Sequence, residues 1–192
     1  MTAIILAGGK SSRMGTDKAF LKIGNQPLIK RQIGLLRKLF KKIIIVTNTL
    51  PKYRGYKGIK IIPDIIPHRG PLGGIYSGLI ASRSFYNFVV ACDMPFLNIE
   101  LLRHMLSRIK GYDVIVARYK GEIEPLSAIY SKDCIRPIKE QLDKNNLKIR
   151  DLFKKVKVKV IKESEVIKFD SQAFSFLNIN TLDEYQKYKK LL

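Results

Sequence analysis

Two stretches of this 192-residue chain hold side chains whose types and spacing could do chemistry on phosphates. The first is Leu6-Ala-Gly-Gly-Lys-Ser-Ser-Arg-Met-Gly-Thr-Asp-Lys18. Gly8 and Gly9 carry no Cβ, so the backbone there can come close to a ligand, and peptide N–H groups in such a turn can donate to phosphate oxygens. Lys10, Arg13 and Lys18 add positive charge, and a guanidinium can hold a phosphate through two parallel bonds. The spacing is neither the Walker pattern nor Gly-x-Gly-x-x-Gly; a Gly/Ser surface turn is the plainer alternative. The second stretch is Cys92-Asp-Met-Pro-Phe96. A lone carboxylate, Asp93, after a buried strand is well placed for a hard cation, because Mg²⁺ commonly takes one or two protein carboxylates and fills its shell with water and substrate phosphate. Asp is also common in Pro-containing turns, and the residues alone leave the two readings level. Gly70-Pro-Leu-Gly-Gly-Ile-Tyr-Ser-Gly78 could wrap a planar base or form a tight turn. Asn48 and Asp64 follow apolar runs and compete with ordinary turn formation.

The elements that must position these residues follow from periodicity. Ala3–Leu6, Lys42–Thr47, Lys60–Pro63 and Phe88–Cys92 are short apolar runs and read as buried strands. Ile29, Ile33, Leu36 and Phe40 share one face of a helix starting at Pro27. A helix is expected over Leu72–Ser82. Another is capped by Asn98 and buries Leu102, Met105, Leu106 and Ile109. Strands are expected over Tyr112–Ala117 and Leu126–Tyr130, and a helix over Lys132–Asn145. Lys155, Lys157 and Lys159 alternate with Val156, Val158 and Val160, a strand with one wet face. Thr181 and Glu184 fit a capping box, with Tyr185 and Tyr188 packing along the last helix. Cys92 should face the core. Strands that are apolar throughout, alternating with helices, predict an α/β fold with a mostly parallel sheet sandwiched between helices. Ligands of such sheets bind at the carboxyl ends of the strands.

Leu6-Ala-Gly-Gly, Ser12-Arg-Met-Gly, Asp17-Lys18 and Cys92-Asp-Met-Pro-Phe96 together resemble the molybdenum cofactor guanylyltransferases. The likeness extends to Gly70-Pro-Leu-Gly-Gly74 and Phe176-Leu-Asn-Ile-Asn-Thr181 and covers essentially the whole chain. It implies a single Rossmann-like nucleotidyltransferase domain over 1–192. The implied reaction is transfer of GMP from GTP to the terminal phosphate of molybdenum-bearing molybdopterin, forming molybdopterin guanine dinucleotide and pyrophosphate, with Mg²⁺ as cofactor. Carried over by position, Leu6, Ala7, Gly8, Lys18, Asn48, Asp64 and Asp93 would bind GTP, and Asp93 would also hold Mg²⁺. Gly9 and Arg13 match the phosphate loop; Arg13, Lys18 and Asp93 form the implied catalytic set. Asn178 and Asn180 match a segment on the pterin side. The product would pass to molybdoenzymes or their chaperones. One departure is Glu124-Pro-Leu126, in a region where the family often has His or another polar residue before Pro-Leu. Close relatives use CTP, so a cytidylyltransferase acting on molybdopterin or another small phosphate acceptor is the alternative.

Composition bounds these readings. Lys and Arg number 36 against 16 Asp and Glu, a formal charge of +20, so the partner is expected to be anionic. The first fifty residues hold ten basic side chains and one acid, Asp17. A basic nucleic-acid-binding module is the alternative from another class, although no recognition-helix or aromatic RNA motif accompanies the charge; no specific nucleic acid is expected. Two cysteines fit a reducing cytosol rather than a disulfide scaffold, so the expected location is cytoplasmic. No apolar run nears the roughly 20 residues of a membrane helix, and the N-terminal apolar run is too short for a signal peptide. His68, His104 and the cysteines lack zinc spacing. A monomer or weak homo-oligomer is expected.

Overall fold

A computed structural model describes residues 1–8, 18–179 and 181–189. In chain order, β1 (Thr2–Leu6) precedes a small hairpin of β2 (Lys22–Ile23) and β3 (Gln26–Pro27), then α1 (Leu28–Leu36), β4 (Lys42–Val46), β5 (Lys60–Ile62), α2 (Gly70–Ala81), β6 (Tyr86–Ala91) and α3 (Ile99–Leu106). There follow β7 (Val114–Tyr119), β8 (Glu122–Ser131), α4 (Ile135–Asp143), α5 (Ile149–Leu152), β9 (Val158–Ile161), α6 (Glu163–Phe169) and α7 (Leu182–Lys189). Seven strands form one sheet in the order β5-β4-β1-β6-β8-β7-β9. Only β8 runs against the rest, pairing antiparallel with β6 and β7; the pairs β1–β4, β1–β6, β4–β5 and β7–β9 are parallel.

The apolar strands split their side chains between two cores, as alternate residues of a strand must. Ala3 and Ile5 pack with Ile43, Ile45, Phe88 and Val90 against α1 and α3. Ile4 and Leu6 pack with Ile44, Val46 and Val89 against Leu72, Ile75 and Leu79 of α2 and Ile138 and Leu142 of α4. The α/β class and the mostly parallel, two-sided sheet expected from the sequence are therefore present. Each fully buried side chain of this kind contributes about 1.5–3 kcal/mol, which makes the central strands a rigid base for their loops.

Several boundaries differ from the periodic reading. The helix begun after Pro27 stops at Leu36; Phe40 lies in the following turn, its N–H donating to Leu36 O at 2.8 Å, and still buries against Phe88. Leu101 joins Leu102 and Met105 as a buried residue of α3, whereas Leu106 and Ile109 are only partly buried. The Asn98 cap is present: Oδ1 accepts from the N–H groups of Glu100 (2.9 Å) and Leu101 (3.0 Å). So is the Thr181/Glu184 box, with both bonds at 3.1 Å. Tyr185 packs near Leu28 and Ile179; the Tyr188 side chain lies outside the described residues. The Lys/Val strand is confined to β9, with Val156, Val158 and Val160 against the core. The β2–β3 hairpin and α6 have no counterpart in the sequence reading.

Gly70-Pro-Leu-Gly-Gly74 forms the first turn of α2, with Pro71 in the position where its missing N–H costs nothing. The glycines serve close approach. A Cβ at Gly78 would lie 2.5 Å from Ile4 Cγ2 and 3.0 Å from Ile4 Cδ1. Ile4 is fully buried and β-branched, with little freedom to yield. Gly78→Ala should therefore destabilise the protein by about 1–2 kcal/mol, the overpacking cost exceeding the gain in helix propensity of roughly 1 kcal/mol. A urea denaturation midpoint lower than that of the parent is the expected reading; an unchanged or higher midpoint would show that α2 can lift off β1 without penalty.

Candidate active site

The register of the parallel strands aligns four sequence-identified residues. Leu6 pairs with Val46 on one side and Ala91 on the other, and Val46 pairs with Ile62. Two residues beyond each of these lie Gly8, Asn48, Asp93 and Asp64. All four sit at one level on the carboxyl edge of the sheet, in the spatial order Asp64, Asn48, Gly8, Asp93. With strands about 4.8 Å apart, three steps separate Asp64 from Asp93 by about 14 Å. Main-chain bonds keep the strand ends together past the last sheet pair: Ala7 N–H donates to Val46 O (2.9 Å), Thr47 N–H to Ile62 O (2.9 Å) and Cys92 N–H to Leu6 O (3.0 Å).

At one end of this row Asn48 and Asp64 grip each other. Asn48 Nδ2 donates to Asp64 Oδ2 at 2.9 Å, and Asp64 N–H donates to Asn48 Oδ1 at 3.1 Å. The other carboxylate oxygen, Asp64 Oδ1, is buried with no hydrogen-bond partner. A Cβ on Gly74 would stand 3.7 Å from that oxygen and 3.1 Å from Leu6 Cδ2. Glycine at 74 thus lets Leu6 and the Asp64 carboxylate pack closely against α2. Burial raises the Asp64 pKa, partly offset by the Asn48 hydrogen bond and the His68 charge.

At the other end stands Asp93, in the turn after β6. Lys18 Nζ lies 3.6 Å from Asp93 Oδ2, both side chains being about one-fifth exposed. Burial raises the Asp93 pKa; the Lys18 charge and hydrogen bond pull it back, and the Glu184 charge adds to the rise. Cys92 packs toward the core on the α1/α3 side, as expected. Asp93 O accepts from Ile179 N–H at 2.9 Å. This bond ties the C-terminal segment to the site and brings Asn178, the residue before Ile179, to the Asp93 end. Gly9, Lys10, Arg13, Asp17 and Asn180 lie outside the described residues.

Two residues join this set that the sequence reading did not place in it. The β6–β8 pairing ends at Val90↔Ser127, and carried three residues further it sets Glu124 across from Asp93. Burial raises the Glu124 pKa and the Asp93 charge adds to the rise, while Leu126 N–H, donating to Glu124 Oε1 at 2.9 Å, and the Arg150 charge oppose it. Gln32, fully buried on α1, donates to both Ala91 O (2.8 Å) and Met94 O (3.0 Å), on either side of Asp93. The one sequence signal for Gln32 was a polar residue beside the apolar stripe of α1.

The donor chemistry at Asp93 suits a hard divalent cation: a partly exposed carboxylate, its charged form penalised by burial. Among the described residues no group of three or more His, Cys, Asp or Glu could hold a metal. A shell that leans on substrate oxygens needs no such group.

The family profile of the MobA-like NTP transferase domain matches residues 3–160. The chain is 41% identical over 197 residues to the probable molybdenum cofactor guanylyltransferase of Peptoclostridium acidaminophilum, covering 99% of this chain and 89% of that one. It is 35% identical over 191 residues to the molybdenum cofactor guanylyltransferase of Syntrophotalea carbinolica, covering 98% and 90%. The chain belongs to the molybdenum cofactor guanylyltransferase family. As a member it is a nucleotidyltransferase with a role in molybdenum cofactor biosynthesis. The solved structure of molybdopterin-guanine dinucleotide biosynthesis protein A from Archaeoglobus fulgidus superposes with a TM-score of 0.83 at 25% identity, over 100% of this chain and 98% of that one. A nucleotidyl transferase from Methanothermobacter, at 17% identity and a TM-score of 0.72, shares the fold.

Proposed function

We propose that this guanylyltransferase-family chain transfers GMP from GTP to the terminal phosphate of molybdenum-bearing molybdopterin, giving molybdopterin guanine dinucleotide and pyrophosphate. The observation that carries the reading is the level row of Asp64, Asn48, Gly8 and Asp93, whose roughly 14 Å span suits a nucleotide laid along the sheet edge. Asp64 and Asn48 take the base. The unpartnered Asp64 Oδ1 is an acceptor for the N1–H and exocyclic amino group of guanine. Leu6, Ala7 and Gly8 line the ribose and first phosphate, and Gly9, Arg13 and Lys18 bind the outer phosphates. Asn178 and Asn180 are assigned to the pterin side. The whole chain, 1–192, acts as one nucleotidyltransferase domain.

An oxygen of the acceptor phosphate attacks the α-phosphorus of GTP. That P–O bond forms as the bond to the β-phosphate oxygen breaks, and pyrophosphate carries away the electron pair. The second pKa of a phosphate monoester is about 6, so the attacking oxygen is already largely ionised at neutral pH and needs no general base. The protein's work is alignment and charge neutralisation. Lys18 and Arg13 offset the repulsion between two polyanions and the charge building on the leaving pyrophosphate. Asp93 would hold Mg²⁺, which when bound would supply positive charge to offset the negative charge of the phosphates.

The remaining positive charge belongs to wet faces and to long-range steering of anionic substrates, an effect that salt weakens. Among the described residues no helix is long and apolar enough to cross a membrane. The enzyme is placed in the cytoplasm, where it hands its product to molybdoenzymes or their chaperones. Calorimetric titration tests the base assignment. GTP should bind with CTP and UTP far weaker; equal or tighter CTP binding would replace the guanylyl assignment by a cytidylyl one.

A further inference from the structure

We infer that Gln32 is a positioning residue for Asp93, acting through the turn that carries it. The inference rests on the reading of Asp93 as the carboxylate at the phosphate end of the site.

The turn runs from Ala91 to Met94, closed by Met94 N–H donating to Ala91 O at 3.2 Å. Its other main-chain groups are tied from three directions. Cys92 N–H donates to Leu6 O of β1 (3.0 Å), and Asp93 O accepts from Ile179 N–H of the C-terminal segment (2.9 Å). Ala91 O and Met94 O both accept from the single Nε2 of Gln32 (2.8 and 3.0 Å). Gln32 therefore spans the first and last residues of the turn, and Asp93 lies between its two anchor points. A rotation of the turn that re-aimed the Asp93 carboxylate would have to break one or both of these bonds.

Nothing in the packing of α1 asks for a polar residue at 32. Its neighbours on the buried face, Leu28, Ile29, Ile33 and Leu36, are apolar, and Gln32 itself is fully buried. Its Oε1 is buried with no hydrogen-bond partner, a state that costs free energy. An apolar side chain of similar volume would avoid that cost and fill the same space. The amide is kept where only its N–H₂ end is used, and that end serves the turn. This explains how α1, which contributes no side chain to the row of Asp64, Asn48, Gly8 and Asp93, fixes the geometry of that row at its phosphate end.

The test uses Gln32→Leu and Gln32→Met, which keep the volume and remove the donor. Mn²⁺ binding to the protein is measured by electron paramagnetic resonance, GTP binding by calorimetry in EDTA, and steady-state kinetics alongside thermal unfolding. Mn²⁺ affinity should fall about 10-fold and kcat about 10- to 100-fold, the scale of a misplaced catalytic group. Metal-free GTP binding should stay within about 2-fold of the parent. Parental Mn²⁺ affinity and kcat in both variants would overturn the inference. So would a parallel fall of GTP affinity, Mn²⁺ affinity and thermal stability in both, which marks a general packing residue. If the parent itself bound neither Mn²⁺ nor GTP, the site reading would fail first and take this inference with it.

Discussion

Asp93→Asn should abolish turnover, by on the order of 10³-fold or more, in a protein that is no less stable at neutral pH than its parent. The two halves of this expectation have one cause. The Asp93 carboxylate is partly buried at the end of β6, and burial lifts its pKa despite Lys18. A carboxyl group whose pKa is higher folded than unfolded is penalised for being ionised: the folded state bears that cost at all pH values above its own pKa. The cost fades as pH falls through the window between the raised folded value and the ordinary one. Asparagine has the same shape and no charge to desolvate. Measured in EDTA, the gain in melting temperature of Asp93→Asn should be largest near neutral pH and shrink on acidification. A site kept for stability would show the opposite, a variant that melts lower at neutral pH.

Asp64→Ala should weaken GTP binding roughly 10- to 100-fold, corresponding to about 1.5–3 kcal/mol for hydrogen bonds to a charged acceptor. CTP binding should hardly change, so most of the loss appears as lost discrimination. The partnered oxygen, Oδ2, is engaged by Asn48; the one that would meet guanine is the unpartnered Oδ1. Asn48→Ala should cost less, because it removes the brace and leaves the acceptor. Calorimetry with both nucleotides checks this. Equal losses for GTP and CTP would place Asp64 against the sugar or phosphates instead of the base.

The parts of this site that the sequence showed are those where chemistry and local pattern coincide. Asp93 follows an uninterrupted apolar run, so its place at a strand end could be read directly, as could the burial of Ala3–Leu6 on two faces. The Asn48–Asp64 grip could not. The residues are sixteen apart, and only the parallel register of β4 with β5 shows that each lies two residues past a paired partner. Glu124 stood out only as a departure from the family pattern: its position across from Asp93 depends on the antiparallel return of β8, a strand whose reversal leaves no mark in composition. For Gly70–Gly74 the sequence left a base-wrapping loop and a tight turn open; the segment forms the first turn of α2, where a Cβ at Gly74 would crowd Leu6 of β1. Nothing in the local pattern marks Gln32; its burial is a property of the sandwich, not of the helix. The glycine-rich loop brought Gly9 and Arg13 into the reading and the resemblance brought Asn180, and these lie outside the described residues.

The reaction itself offers the most direct measurement. The protein is incubated with molybdenum-bearing molybdopterin, Mg²⁺ and either GTP or CTP radiolabelled at the α-phosphate, and the products are separated. Label from GTP should enter a pterin dinucleotide in step with release of unlabelled pyrophosphate, with little or none entering from CTP. Label entering from CTP in preference to GTP, or pyrophosphate released with no label reaching the pterin, would contradict the assignment of this site to guanylyl transfer.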